Sequence, residues 1–586
     1  MRMNLKARLF CSLLTGLIIC AKVWSMPAKG IPFTVINNDG TKLTLVLRGD
    51  EAFHFHTTLD GTPAIQDEHG DWQLKPELAD SMLTKWKERS YRRNAKRLDR
   101  NMKRTARKAF GSPSNFAGEK TGIVLLVDFP NLSMKSTHTR NTFERMFNEK
   151  GYHDHYHYGS VHDYFHDQSY GQLNITFDVY GPITASKDYT YYGANDKEGY
   201  DKYTATLAAE VCKLADEQFD IDWSNYDWDN DGEVDQIYII YAGYGENMGA
   251  PANAIWPHEW ELSAAKRESR DGDGAITLGG YKIDTYAMSS ELHGSTGSTI
   301  NGIGTACHEF SHCLGLPDFY NIEYNGGFGM NYWDVMDSGS YNGQYVQSEQ
   351  PAGFTAYERW FAGWLTPIEL SAPCTIANMP ALQDEPVAYI IYNEGNRNEY
   401  FLIENRQSNG WFQYVGPSAA QCHGLLITHV DYDKNYWRNN AVNADKDHQR
   451  MTIIPAGNNY GRSVGKVGEM QYRVTASEYL SQLFPGNQSV TVLDNESHKN
   501  HGGSLFNANT DGSFAMNKPI TDITEQDGLV SFKFMGGDLS AISDIAYSHE
   551  EEALYYTLGG VAIPHPTAPG IYLVKQGGQT RKMMLR

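Results

Sequence analysis

A chain of 586 residues, 41% of them hydrophobic, is long enough for about three or four domains with buried cores, which excludes an intrinsically disordered protein. Its formal net charge of −21 disfavours nucleic acid or an anionic membrane as the main partner and leaves room for bound divalent cations.

In residues 1–25, Arg2, Lys6 and Arg8 precede an apolar run from Leu9 to Cys20, and Ser25 follows, as in a secretory signal peptide. The run is shorter than the ~20 residues of a spanning helix. No later stretch approaches that length, and bulky Ile19 argues against a lipoprotein site at Cys20. The expectation is a protein that is secreted or held at the cell surface without a stable membrane span. Cys11 and Cys20 leave with the signal. Cys212, Cys307, Cys313, Cys374 and Cys422 are too few, and odd in number, for a disulfide scaffold.

Residues 31–75 alternate short apolar runs with turns such as Asn38-Asp39-Gly40 and Asp60-Gly61, which predicts a small β-rich unit. The stretch 85–108 is dense in Lys and Arg. It reads either as a solvated basic helix or as a protease-sensitive connector closing a propeptide that spans 26–112. GIVLLVDF from Gly122 predicts a buried strand, HTRNTFERMFNEKGY a helix, and QIYIIYAGYG at 236–245 a second buried strand, so 117–366 is expected to be one domain of a size that could house a catalytic site. Runs such as YFLIENR, LLITHVD and MTIIPA between Gly, Asn and Pro turns predict a β-sandwich over 367–535, and 540–586 reads as a short β tail. The fold class expected is multidomain α+β.

The chemistry concentrates in TACHEFSHCLGLPDFY, residues 305–320. His308 and His312 stand four apart, so on a helix both imidazoles project from one face and can ligate one metal, with Glu309 beside it as a general base. Gly315 can end the helix, Pro317 forbids its continuation, and the chain can turn back so that Asp318 becomes a third ligand. Two imidazoles and a carboxylate leave a fourth position open, as a hydrolytic Zn2+ site requires. Downstream, YWDVMDSGSY holds Met336 and Tyr341. They match the places where metzincin proteases carry a methionine on a tight turn under the zinc and a tyrosine that binds the oxyanion.

Together these motifs resemble the M6 family of secreted zinc metalloproteases, the immune inhibitor A type. The similarity extends over GIVLLVDFP, GSVHDYFHDQSYGQLNITFDVYG, IWPHEW, HEFSHCLGLPDFY, WDVMDSGSY, YFLIENRQSNGWF and GLLITHVDYD. It implies a metzincin-like endopeptidase acting on proteins or peptides and made as a zymogen whose N-terminal region covers the cleft. The tail, through GIYLVKQGGQTRKMMLR, resembles the sorting domains of Bacteroidota proteins exported by the type IX system, which implies attachment at the outer surface.

Asp227, Asp229, Asp231 and Asp235 surround Gly232 with the alternate spacing of a Ca2+ loop, although Tyr238 stands where an EF-hand would place its glutamate. The run His153, His155, His157, His162, His166 is read as surface or core rather than a metal site, and Cys307 and Cys313 as small buried hydrophobes. Two rival readings remain: a surface adhesin with a silent zincin domain, and a thermolysin-like enzyme with Glu323 or Glu358 as third ligand. Glu309 opposes the first, and Gly315, Asp318 and Met336 oppose the second.

Overall fold

A computed structural model describes residues 28, 32–50, 53–67, 69–78, 116–195, 201–267, 271–323, 325–464 and 471–537, and the backbone of four strands between 554 and 585. The expected signal peptide and basic connector lie outside the described residues.

The N-terminal unit is an antiparallel meander of five strands, Pro32–Ile36, Lys42–Asp50, Phe53–Thr58, Pro63–Gln66 and Trp72–Leu74, paired in sequence order. Gly40 at φ +85° and Gly61 at φ +84° make the predicted turns, in a region of backbone space that glycine enters without steric cost. Its own apolar core is small. Leu47 packs with Ala28 against Trp256, and Phe55 packs against Tyr320 and Ile322, so the unit completes its burial on the domain that follows.

That domain is built on a five-stranded sheet in the order Leu173–Thr184, Gly118–Asp128, Ile237–Tyr244, Thr285–Leu292, His258–Glu261. The first four strands are parallel and the last is antiparallel. The continuous apolar run in Gly118–Asp128 follows from burial on both faces. Val124 and Leu126 join the core under helices Arg140–Asn148, Val161–Gln168 and Gly304–Cys313, while Ile123, Leu125 and Val127 join the core under helix Thr204–Gln218. Capping boxes at Thr139 and Ser160 satisfy the first amides of two of these helices.

Residues 367–537 form a small pair of strands, Arg462–Val464 with Gln471–Arg473, and two facing sheets. One orders Ile368–Glu369, Tyr389–Tyr392, Glu399–Arg406, Gly424–Asp431 and Met451–Ile453, and the other Cys374–Met379, Leu529–Phe534 and Ile520–Gln526. Phe401, Ile403, Leu425 and Ile427 meet Ile376, Ile520, Phe532 and Phe534 between them. This part does not hang from the preceding domain by a linker, because Tyr400, Leu402, Leu426 and Val430 share one core with Trp333, Met336, Phe354 and Tyr357. The tail strands Leu554–Thr557, Ala562–Ile563, Gly570–Gln576 and Gln579–Leu585 pair as a four-stranded antiparallel sheet.

Candidate active site and metal centre

Helix Gly304–Cys313 presents His308 and His312 one turn apart, four residues being close to the 3.6-residue repeat. Its first residue must be glycine, since a Cβ at Gly304 would lie 1.9 Å from the Ser340 carbonyl oxygen. The helix ends where Gly315 takes φ +90° and its N–H donates to the His312 carbonyl at 2.8 Å. The reversed chain brings the Leu316 carbonyl to 2.8 Å from His312 Nδ1, and Asp318 Oδ1 to 3.3 Å from His308 Nε2 and 3.6 Å from His312 Nε2. The two Nε2 atoms lie 3.2 Å apart.

His308 Nδ1 meets the Val335 carbonyl at 2.7 Å. A carbonyl only accepts, so each Nδ1 carries a proton, and in the neutral ring the lone pair of Nε2 then points toward Asp318 Oδ1. Three acceptors facing one another at this range repel unless a cation lies among them. For Zn–N and Zn–O bonds of about 2.0–2.2 Å, a tetrahedral site has ligand-to-ligand edges of about 3.3–3.6 Å. The observed 3.2, 3.3 and 3.6 Å fit that ion. Two nitrogens and one oxygen suit zinc better than calcium or magnesium, which take oxygen cages.

The turn that carries Met336 supports this triangle through its backbone. Val335 accepts from His308, and the Met336 carbonyl accepts from Phe319 N at 2.8 Å, next to Asp318. The Met336 side chain is fully buried in the shared core. Glu309 lies between the imidazoles, with one carboxylate oxygen within 4.8 Å of both. Tyr341 receives a 3.1 Å hydrogen bond from Asn247 Nδ2, and burial pushes its phenol well above the usual range, so the hydroxyl stays protonated.

Sequence reasoning missed two of these neighbours. Asn247, which holds Tyr341, sits on the loop Glu246–Met248. Asn440 belongs to the two-sheet region, accepts from Asp318 N at 2.7 Å and donates to Asp318 Oδ2 at 2.6 Å. Neither lies in a motif, and no local spacing points to them.

The other candidates fall as follows. Carboxylate oxygens of Asp227, Asp229 and Asp231 lie within 4.8 Å of one another. Asp235 instead accepts from Trp228 N at 2.6 Å, and Asp227 accepts from the Asp231 and Gly232 amides at 3.1 and 2.9 Å. Glu358 caps its own helix through Thr355 and lies beside Asp334. Glu323 is buried at the Asn321 turn, its N–H donating to Asn321 Oδ1 at 3.0 Å. In the histidine run, His157 Nδ1 meets the Asp154 carbonyl and His162 Nδ1 the Ile175 carbonyl, and no metal cluster forms there among the described residues. Cys212, Cys307, Cys374 and Cys422 are buried free thiols, and burial raises the Cys307 thiol well above its usual range.

The site is closed. His308, Glu309 and Asp318 are 0% exposed, His312 4% and Tyr341 3%. The hairpin formed by Lys42–Asp50 and Phe53–Thr58 packs on residues close in sequence to Asn247 and Asp318. His54 Nε2 lies 3.0 Å from Glu246 Oε1, one residue from Asn247, and its ring stacks on Trp256 at 4.5 Å, while Phe55 packs on Tyr320, two residues beyond Asp318.

A buried His-His-Asp triangle with an adjacent glutamate is the arrangement of a metallopeptidase, and the comparisons with known proteins support that class. Residues 119–364 match the family Immune inhibitor A peptidase M6, catalytic domain. The chain is 27% identical over 273 residues to the pre-pro-metalloprotease PrtV of Vibrio cholerae serotype O1, covering 41% of this chain and 29% of that one. It is 26% identical over 219 residues to immune inhibitor A of Bacillus thuringiensis subsp. alesti, covering 34% and 31% respectively. The chain thus spans under a third of the length of these relatives.

Proposed function

We propose that this protein is a secreted zinc endopeptidase of the metzincin type, made as a zymogen with residues 26–112 as its propeptide. The triangle of His308 Nε2, His312 Nε2 and Asp318 Oδ1 carries the reading, because its edges and its proton inventory suit one zinc ion. Zinc held there would supply Lewis acidity at neutral pH. Glu309 would take a proton from the attacking water and return it to the leaving amine. Tyr341, kept protonated by burial and oriented by Asn247, would donate to the oxyanion that forms on the scissile carbonyl.

Latency is supported by the burial of the site residues and by the hairpin packed on Glu246, Trp256 and Tyr320 beside them. Cutting the basic stretch 85–108 would free the N-terminal sheet. The clustered carboxylates of Asp227, Asp229 and Asp231 support a Ca2+ ion that stiffens the loop before strand Ile237–Tyr244. The resemblance of the tail to sorting domains supports attachment at the outer surface.

The deciding experiment combines metal analysis with peptide-library cleavage before and after limited trypsin treatment. One zinc per chain and cleavage that begins with connector processing are expected. A metal-free protein, or a processed one that cuts no peptide, overturns the proposal.

A further inference from the structure

We infer that Asn440 is a positioning residue of the metal centre: it keeps Asp318 a one-oxygen ligand, so that the two-sheet region beyond residue 366 is part of the zinc site. The inference rests on the zinc reading above and adds to it a residue 122 positions away from its partner.

The geometry is specific. Asn440 Nδ2 donates to Asp318 Oδ2 at 2.6 Å while Asn440 Oδ1 accepts from Asp318 N at 2.7 Å, so one amide grips both the carboxylate and its own backbone. The oxygen thus engaged is Oδ2, and the one left facing the two imidazoles is Oδ1. A carboxylate with both oxygens free can bind a metal through both and fill the coordination position that a hydrolytic site must keep open. Hydrogen bonding one oxygen away prevents this and fixes the plane of the group. Partners of this kind typically alter metal affinity or activity by about 10–100-fold when removed.

The grip is itself built in. Asn440 is 1% exposed and adopts φ +48°, a left-handed conformation that asparagine tolerates better than most residues. Three residues on, Asn443 Nδ2 donates to the Phe319 carbonyl at 2.7 Å and to the Met451 carbonyl at 2.6 Å, tying the chain after Asp318 to the strand Met451–Ile453. The segment from Asp318 to Phe319 is therefore held from the metal side by helix Gly304–Cys313 and from behind by residues 440–443.

The test uses the full chain. Asn440→Gly removes the amide while allowing the left-handed backbone, and Asn440→Asp keeps the shape but sets a second carboxyl group against Asp318. Zinc dissociation constants come from chelator competition, the coordination number from the visible absorption of the cobalt-substituted protein, and apo stability from thermal melting. Both variants are expected to bind zinc about 10–100-fold more weakly. Asn440→Gly should also shift the cobalt spectrum toward five-coordination, and its apo melting temperature should fall as well, because Asp318 N and Oδ2 lose a buried partner. Asn443→Ala should lower the melting temperature without changing the cobalt spectrum. Zinc affinity and cobalt spectra within twofold of wild type in both Asn440 variants overturn the inference. His312→Ala separates the two levels: if it retains zinc, or if wild type takes up none, the zinc reading itself has failed.

Discussion

Replacing His54 by alanine should make the uncleaved precursor leak activity. His54 Nε2 faces Glu246 at 3.0 Å with both side chains buried, and its ring stacks on Trp256. Leaving a buried carboxylate without its neighbouring polar partner typically costs about 1–3 kcal/mol. Here that cost falls on the docked state alone, since an undocked hairpin leaves Glu246 open to water. At about 1.4 kcal/mol per decade, that cost multiplies the fraction of precursor with an open cleft by about 5- to 150-fold. The assay measures hydrolysis of a fluorogenic peptide by full-length precursor whose basic connector carries Gln in place of Lys and Arg, with and without His54→Ala. After proteolytic release of the propeptide from variants with a native connector, both proteins should work at equal rates, since His54 leaves with the released sheet. A His54→Ala precursor as silent as wild type, with both processed forms fully active, refutes the argument that this hairpin holds the cleft shut.

Three further outcomes are expected. Glu309→Gln should lower peptide hydrolysis by about 10²–10⁴-fold while zinc content stays at one per chain, and loss of the metal would show that Glu309 is a ligand rather than a base. Asp334, under the methionine turn, has its carboxyl group held well above the usual range by burial first and by the adjacent Glu358 carboxyl second. The folded state therefore retains a proton that the unfolded chain gives up near pH 4, and stability falls as pH rises from there toward the raised value, by about 1.4 kcal/mol per pH unit. Asp334→Asn, whose amide can donate to Glu358 as the protonated acid does, should flatten that decline, and melting curves from pH 5 to 9 with unchanged slope would refute the shared-proton account. Calcium should raise the melting temperature by mass action on the native state, and Asp229→Ala should abolish the effect; indifference of both proteins to calcium and chelator leaves Asp227 to Asp235 as a polar turn.

What could be read from the sequence divides by range. The spacing of His308, Glu309 and His312 is a property of one helix, and Gly315 announces its own left-handed turn, so these places needed no tertiary information. Asp318 followed from the turn. Asn440 and Asn247 did not, because each acquires its partner only when distant segments pack, at separations of 122 and 94 residues. His54 was hidden for another reason. In FHFHTT an alternating strand reads as one face in and one face out, and nothing local says that the histidine rather than the phenylalanine reaches a buried carboxylate.

The boundary near residue 366 shows a signal that was present and underweighted. A sandwich sheet with one wet face should alternate apolar and polar residues, yet YFLI at 400–403 and LLI at 425–427 are unbroken apolar runs. Such runs require two dry faces. In the structure Phe401, Ile403, Leu425 and Ile427 face the second sheet, while Tyr400, Leu402 and Leu426 face Trp333, Met336 and Tyr357 of the catalytic domain. The same contact surface delivers Gln482 Oε1 to Trp333 Nε1 at 2.6 Å, Tyr479 OH to Asn331 Oδ1 at 2.7 Å and Arg406 to the Trp333 carbonyl at 3.0 Å. The turn bearing Met336 and the chain bearing Asp318 thus have their outer sides satisfied by residues beyond 366. The proposed metal site, assembled from one helix and two returning loops, is only as rigid as what backs those loops, and here the backing comes from residues beyond 366.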